Sequence, residues 1–174
     1  MFANLKTLSI ALTLASLIGC QPVTDDSVAP DTLLDPFEAA LDALEAAMTA
    51  HNDAVTNAAD DDAIMAEEDD FAANAGARFE ECAHTAEELT GCSGMDDDAM
   101  SADDVAMMFE SLEEAFAAHR DAMDAATDKT AEEATFQAEA TLHLGHGGEL
   151  HDDMHAHADE GELTCMMMGD EHAD

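Results

Sequence analysis

The sequence predicts an all-α protein, an up-down-up-down four-helix bundle made from a duplicated αα-hairpin. Apolar residues recur at spacings of three and four in four separate segments, which is the period of an amphipathic helix. Alanine is abundant, β-branched residues are few, and no strand-like alternation of apolar and polar residues occurs. The stretch LEAAMTAHNDA, which starts at Leu44, returns as LEEAFAAHRDA at Leu112, so one hairpin is predicted to occur twice.

The first helix is predicted to begin at Asp35, because Asp35 and Pro36 suit the N-cap and the first helical position. Its stripe of larger side chains consists of Phe37, Leu41, Leu44, Met48, His51 and Val55. The preceding residues, 20–34, contain two prolines and no sustained period, so they are predicted to be a tether. Residues 35–95 form the first hairpin in this interpretation.

Three further helices follow the same pattern. The second begins after Asp60, and its stripe is Ile64, Glu68, Phe71, Ala75, Arg78, Cys82 and Leu89. Ser101 opens the third, with the stripe Val105, Phe109, Leu112, Phe116, His119 and Met123. Thr130 opens the fourth, which is expected to kink or break at the glycines 145, 147 and 148. The second hairpin covers residues 101–168, and residues 169–174 are a tail.

The N-terminal segment MFANLKTLSIALTLASLIGC predicts a targeting signal. It has one early charge, Lys6, and then an apolar run that is too short for a permanent membrane span. Its end, LIGC, resembles the lipobox of bacterial lipoproteins. This resemblance implies that residues 1–19 are a signal peptide, that Cys20 is acylated, and that the protein is anchored in the bacterial cell envelope. Gln21 in place of aspartate implies, by the same resemblance, the outer membrane.

The charge of the chain excludes one class of partner. Without the predicted signal, the basic residues are Arg78, Arg120 and Lys129, against 42 acidic ones. Neither a nucleic acid nor an anionic lipid surface attracts such a chain. The membrane is therefore expected as a partner only through the lipid on Cys20.

Three cysteines follow the predicted anchor in a compartment that permits disulfides. Cys92 and Cys165 stand at equivalent ends of the two hairpins, in EELTGC and GELTC, so a bond between them would join the hairpins. A local bond between Cys82 and Cys92 is the competing pairing, and free buried thiols are the third alternative.

A polar layer is predicted inside the bundle. His51 and His119 lie on inward stripes of the first and third helices, and Glu68 and Glu133 lie on those of the second and fourth. The repeat places the members of each pair at equal depth, so two imidazoles and two carboxylates are expected in one layer, a ligand set for a divalent ion. The alternative without metal is a buried ion-paired layer that fixes helix register.

A second candidate metal region lies in the C-terminal part, where His143, His151 and His155 precede a run of three methionines. His151 and His155 share one helix face, and imidazole with thioether is a ligand set that suits copper. A solvated histidine-rich tail and methionines that fill the core are the alternative.

Known bundle chemistry fits the sequence poorly. The only Glu-x-x-His pair in the bundle is Glu81 with His84, a haem-binding Cys-x-x-Cys-His is absent, and no nucleophile is paired with a base. The sequence therefore predicts a non-enzymatic envelope lipoprotein that binds or buffers a transition metal, with copper, zinc, nickel and iron as candidates. The alternative is a structural or interaction bundle whose partner is another envelope protein.

Overall fold

The structure, a computed structural model, describes residues 27–95 and 100–166 and contains four long helices. These are α1 (Asp31–Thr56), α2 (Asp61–Glu88), α3 (Ala102–Ala125) and α4 (Lys129–Asp159). The helices pack in a closed square, in which each contacts the helices before and after it and α1 also contacts α4. The predicted all-α four-helix bundle is confirmed.

Side-chain caps fix where three of the helices begin. Asp60 accepts a hydrogen bond from the amide of Ala63, and Asp128 accepts one from that of Ala131. Ser101 Oγ likewise accepts a hydrogen bond from the amide of Asp104. Each cap satisfies an amide that has no partner within its helix. The N-cap of the fourth helix is therefore Asp128, two residues before the predicted Thr130.

The predicted start of the first helix at Asp35 is wrong, since α1 already begins at Asp31. Leu33 and Leu34 lie in the hydrophobic core, with 4% and 1% of their surface exposed. Burial of two leucines stabilises the fold by several kcal/mol, about 1.5–3 kcal/mol for each, and outweighs the amide hydrogen bond that Pro36 cannot make. Residues 27–34 thus belong to the domain and not to the tether.

The predicted kink in the fourth helix is also wrong, because α4 continues through all three glycines. Gly147 is buried against α1 and α3. A Cβ atom at this position would lie 2.7 Å from Leu41 Cδ2 and 3.1 Å from Phe109 Cζ. Because Gly147 has no side chain, α1 and α3 can approach α4 closely at this position. This packing keeps α4 helical where its intrinsic helix propensity is low.

Three short strands close the end of the bundle where α1 begins: β1 (Ser27–Val28), β2 (Cys92–Ser93) and β3 (Thr164–Met166). β3 lies in the middle and pairs antiparallel with both others. Cys92 and Cys165 are directly opposed and form a disulfide, while Cys82 is a buried free thiol. These strands were not predicted from the sequence, since two or three residues are too few to show alternation.

A polar layer divides the apolar interior into two unequal parts. The main core extends from the sheet to Phe71, Phe116 and Phe136. A small cluster of Val55, Ile64 and Met123 lies at the other end of the bundle. Between them are four buried polar side chains, His51, Glu68, His119 and Glu133.

Some predictions fall on residues outside the described ranges. They are the signal peptide, the acylated Cys20, the last two of the three methionines and the tail at 169–174. Within the described ranges, no helix is both long enough and apolar enough to cross a membrane.

Candidate metal centre

Each helix contributes one side chain to the polar layer. His51 and His119 lie near the ends of α1 and α3, and Glu68 and Glu133 lie near the beginnings of α2 and α4. Consecutive helices are antiparallel, so the end of one stands beside the beginning of the next. The four residues are between 0% and 5% exposed. The structure thus brings together the four residues that the repeat predicted for one layer.

The imidazoles and carboxylates alternate around the centre of the layer. His51 Nε2 lies 3.3 Å from Glu68 Oε1 and 3.5 Å from Glu133 Oε2. His119 Nε2 lies 3.6 Å from Glu68 Oε2 and 3.0 Å from Glu133 Oε2. Both histidines therefore direct the same ring nitrogen toward the same two glutamates.

Most of these close contacts are not hydrogen bonds. His119 Nε2 and Glu133 Oε2 form one. His51 Nε2 and both carboxylate oxygens of Glu68 are buried without a hydrogen-bond partner among the described residues. Burial of such groups without a partner costs about 1–3 kcal/mol for each. The layer therefore holds polar atoms that face one another but do not satisfy one another.

The surrounding residues hold the rings in place. Phe71 stacks on His51 with ring centroids 4.2 Å apart, and Phe136 stacks on His119 at 4.7 Å. Phe71 and Phe136 each lie three residues after a glutamate of the layer, one helical turn further along. This stacking fixes the direction in which each Nε2 points.

Two polar residues contact the layer from outside, each in only one of the repeats. Glu67 Oε1 lies 3.4 Å from His51 Nδ1. Gln137 Nε2 donates to Glu133 Oε1 at 2.6 Å. A carboxylate behind a ligating imidazole and an amide behind a ligating carboxylate are common around metal sites, because they fix tautomer and orientation. Sequence reasoning missed both residues. Glu67 could have been found because it directly precedes Glu68, and Gln137 because it lies one helical turn after Glu133.

The mutual attraction of these groups controls their protonation. Burial disfavours the charged imidazole of His51, but Glu133 and Glu68 outweigh it and raise its pKa to about 10. The same balance raises the pKa of His119 to about 9. Burial opposes ionisation of Glu68 and Glu133, yet the two histidines hold the pKa of both carboxyl groups below the usual range. At neutral pH and without a metal, these shifts favour two imidazolium ions and two carboxylates in the layer.

The arrangement could hold a metal ion. His51, Glu68 and Glu133 each offer one ligand atom, and these atoms all lie within 4.8 Å of one another. Around a tetrahedral ion with bonds of about 2.0–2.2 Å, neighbouring ligand atoms are about 3.3–3.6 Å apart. The two contacts of His51 Nε2, at 3.3 and 3.5 Å, have this separation. His119 is not part of the compact set of three, although its Nε2 contacts both glutamates.

The other predicted metal ligands do not join this layer. His143 Nδ1 contacts the carbonyl of Glu139 one turn earlier in α4, and its Nε2 lies 3.5 Å from Ser111 Oγ. The rings of His151 and His155 are 5.9 Å apart, and each faces an aspartate. In the part of the chain that the structure describes, these three histidines belong to no metal-binding group.

A second group of possible ligands lies at the end of α4. It consists of His157, which is half-buried, and the exposed Glu160 and Glu162. His157 Nδ1 lies 3.5 Å from Glu162 Oε2. Since exposed carboxylates remain solvated without an ion, this group is a weaker candidate than the buried layer.

Comparison with known proteins gives no further guide to the class of this bundle, since no family model, curated protein or solved structure matches the chain.

Proposed function

We propose that this protein binds one divalent transition-metal ion between His51, Glu68, His119 and Glu133, and stores or buffers it. One ligand from each helix would give a set of two nitrogens and two oxygens, of which those of His51, Glu68 and Glu133 already lie in one compact group. Two carboxylates balance the charge of the ion. Metal binding releases the Nε2 protons of the two histidines to solvent, so the buried layer is neutral both with the metal and with two protonated histidines. His119 is the fourth ligand in this proposal.

The observation that carries the proposal is the set of buried, unpartnered atoms. His51 Nε2 and the two oxygens of Glu68 face inward at 3.3–3.6 Å from opposite groups and have no hydrogen-bond partner among the described residues. A layer that served only to pair charges would satisfy these atoms by hydrogen bonds, because leaving them unpaired destabilises the fold. A metal ion at the centre would take His51 Nε2 and an oxygen of Glu68 as ligands, two groups that no hydrogen bond satisfies in the described part of the chain.

The ligand types favour zinc or ferrous iron over copper(I). Imidazole and carboxylate suit both ions, whereas copper(I) prefers thiolate and thioether ligands. The free thiol of Cys82 lies 14 positions after Glu68 on the same helix, about 20 Å away at 1.5 Å per residue. Burial and the neighbouring Glu81 raise the pKa of this thiol to about 12, which also disfavours the thiolate.

Burial of the layer supports a binding role and not a catalytic one. A catalytic metal keeps a coordination position open for water or substrate, whereas a closed site has four protein ligands. Here the four side chains are at most 5% exposed, so an ion bound by all four would be closed off from water and substrate. We also propose, from the lipobox, that the domain works on the bacterial envelope, anchored through Cys20.

A second candidate function is supported by the protonation of the layer. The raised pKa values of His51 and His119 describe stable ion pairs with the glutamates, and such a layer can fix helix register without metal. In this function the bundle is a structural or protein-interaction module, and its partner is another envelope protein.

The test is metal binding by the full chain, solubilised in mild detergent and prepared without a polyhistidine tag. We expect one zinc ion per chain in calorimetric titration, and stabilisation of about 2.7 kcal/mol when free zinc is a hundredfold above the dissociation constant. His51→Ala with His119→Ala removes both the binding and the stabilisation.

His151→Ala with His155→Ala is the matched control, because it also removes two histidines but leaves the layer intact. We expect this variant to bind zinc as the unsubstituted chain does. The double alanine variant at positions 51 and 119 could unfold the bundle because it leaves a cavity. In that case His51→Gln with His119→Gln replaces it in the comparison of zinc binding, since glutamine fills more of the core than alanine. Zinc content that survives loss of both layer histidines, or absence of zinc binding by the unsubstituted chain, leaves the structural module as the function.

A further inference from the structure

The two repeats treat their buried histidines differently. Glu67 lies beside His51 and contacts its Nδ1. Glu132 occupies the equivalent position in the second repeat, but His119 Nδ1 has no hydrogen-bond partner among the described residues. His119 is buried, with 5% of its surface exposed. In two equivalent positions of the repeat, the Nδ1 of His51 therefore has a carboxylate partner and the Nδ1 of His119 has none among the described residues.

An open groove of about 400 Å³ lies between α3 and α4 at this unsatisfied histidine. Its floor includes His119 and Phe136. Small side chains of α3, those of Ala115, Ala118 and Ala122, leave space above the ring. Glu132 and Glu139 line the α4 side, so the groove carries negative charge up to the edge of the buried layer.

The buried layer is less accessible from the loop end of the bundle, where α1 is followed by α2 and α3 by α4, than from this groove. Val55, Ile64 and Met123 cover the layer from the side of the connecting loops, with 7% or less of their surface exposed. Lys129 Nζ bonds to the Met123 carbonyl and places a positive charge at that end. A cation approaching along the bundle axis would have to pass these buried apolar side chains, whereas the groove leads directly to His119 beside carboxylates.

We propose that the groove between α3 and α4 is the site at which a divalent cation is first captured and through which it reaches the buried layer and leaves it. Glu132 is the capturing carboxylate, and His119 is the ligand at which the ion enters the layer. After transfer, Glu132 accepts a hydrogen bond from His119 Nδ1, as Glu67 does from His51 Nδ1. This inference rests on the proposed metal-binding function and adds to it the route by which the ion enters and leaves the layer.

Stopped-flow binding of Co²⁺ to the full chain tests the route, since tetrahedral Co²⁺ absorbs visible light. Ala118→Leu fills the groove above His119. We expect association and release to slow together by about tenfold, with unchanged affinity, because the barrier rises while the ligands stay the same. Ala50→Leu is the matched control. It is the equivalent exposed alanine of the first repeat and leaves both rates unchanged.

Glu132→Gln tests the capture step without added bulk. We expect association of Co²⁺ to slow by about threefold to tenfold, since one carboxylate no longer attracts the ion at the entrance. Glu114→Gln removes the same charge from a different groove on α3 and is expected to have no comparable effect.

The possible outcomes separate the route from the proposed function. Unchanged rates in both Ala118→Leu and Glu132→Gln overturn the route and leave metal binding in place. Equal slowing by Ala118→Leu and Ala50→Leu also overturns it, because the groove would then have no special role. If the unsubstituted chain binds no Co²⁺, the route and the proposed metal-binding function fail together.

Discussion

At the scale of single residues, the layer shows how one buried imidazole is oriented from several directions. Phe71 stacks on the ring of His51, Glu67 contacts Nδ1, and Glu68 and Glu133 face Nε2. These contacts direct Nε2 at the centre of the bundle. A preorganised nitrogen of this kind is the requirement for a selective metal ligand.

Protonation of the layer predicts how the stability of the metal-free protein depends on pH. The pKa values of His51 and His119 are raised in the fold from 6.5 to about 10 and about 9, so their contribution is complete below pH 6.5 and disappears as pH rises through 9 to 10. The pKa values of Glu68 and Glu133 are lowered from 4.5, so their contribution is present above pH 4.5 and disappears in stronger acid. Urea unfolding in chelator should therefore show maximal stability between about pH 4.5 and 6.5.

The pair His51→Gln and His119→Gln is the control for this dependence. Glutamine does not titrate, so the fall in unfolding free energy between pH 6.5 and 10 should be much smaller in the double variant. An equally steep fall in the variant would assign the pH dependence to other groups on the surface.

At the scale of helices, α4 shows that tertiary contacts decide whether a weak helical segment remains helical. Three glycines within four residues favour a break, yet the helix continues because Gly147 lies in the contact with α1 and α3. The segment follows Glu133 and Gln137 on the same helix. Its continuity therefore keeps the second repeat in register with the first from the candidate metal centre to the sheet.

Two glycine substitutions in α4 should have opposite effects. Gly148→Ala has open space around the new Cβ atom and should raise the free energy of unfolding by about 0.5–1 kcal/mol, because alanine loses less backbone entropy. Gly147→Ala should lower it by about 1 kcal/mol, since the cost of overpacking against Leu41 and Phe109 exceeds this gain. Denaturant unfolding of the two variants is the measurement, and stabilisation by Gly147→Ala would contradict the close packing.

At the scale of the whole molecule, the sheet and the candidate metal centre lie at opposite ends of the bundle. His51 lies twenty positions after the first residue of α1, which is about 30 Å at 1.5 Å per residue. β1, which follows the predicted anchor segment, pairs with β3, and the disulfide joins β3 to β2. The sheet thus ties the two hairpins and the incoming chain together at the end remote from the centre.

Replacement of Cys20 tests the proposed anchoring of this end. We expect Cys20→Ser to move the protein from the membrane fraction to the soluble fraction, because the acyl chains are its only predicted attachment. Zinc binding by the released protein should be unchanged, since the layer lies in the folded domain. Membrane partitioning equal to that of the unsubstituted protein would show that the lipid on Cys20 is not the anchor.

The sequence by itself determined the level of the polar layer and most of the inward-facing residues, but it placed Arg78 on the inward stripe of α2 where the structure buries Phe79 instead. Helical period is a local property, so the stripes through His51 and Glu68 could be read along the chain, and the repeat placed His119 and Glu133 at the same level. Only the tertiary structure decided the distances between these side chains, the contact of Glu67 in one repeat, the continuity of α4 and the pairing of Cys92 with Cys165. These features depend on how far each helix is rotated and shifted against its neighbours, and that is set by packing across the whole core and not by any one segment.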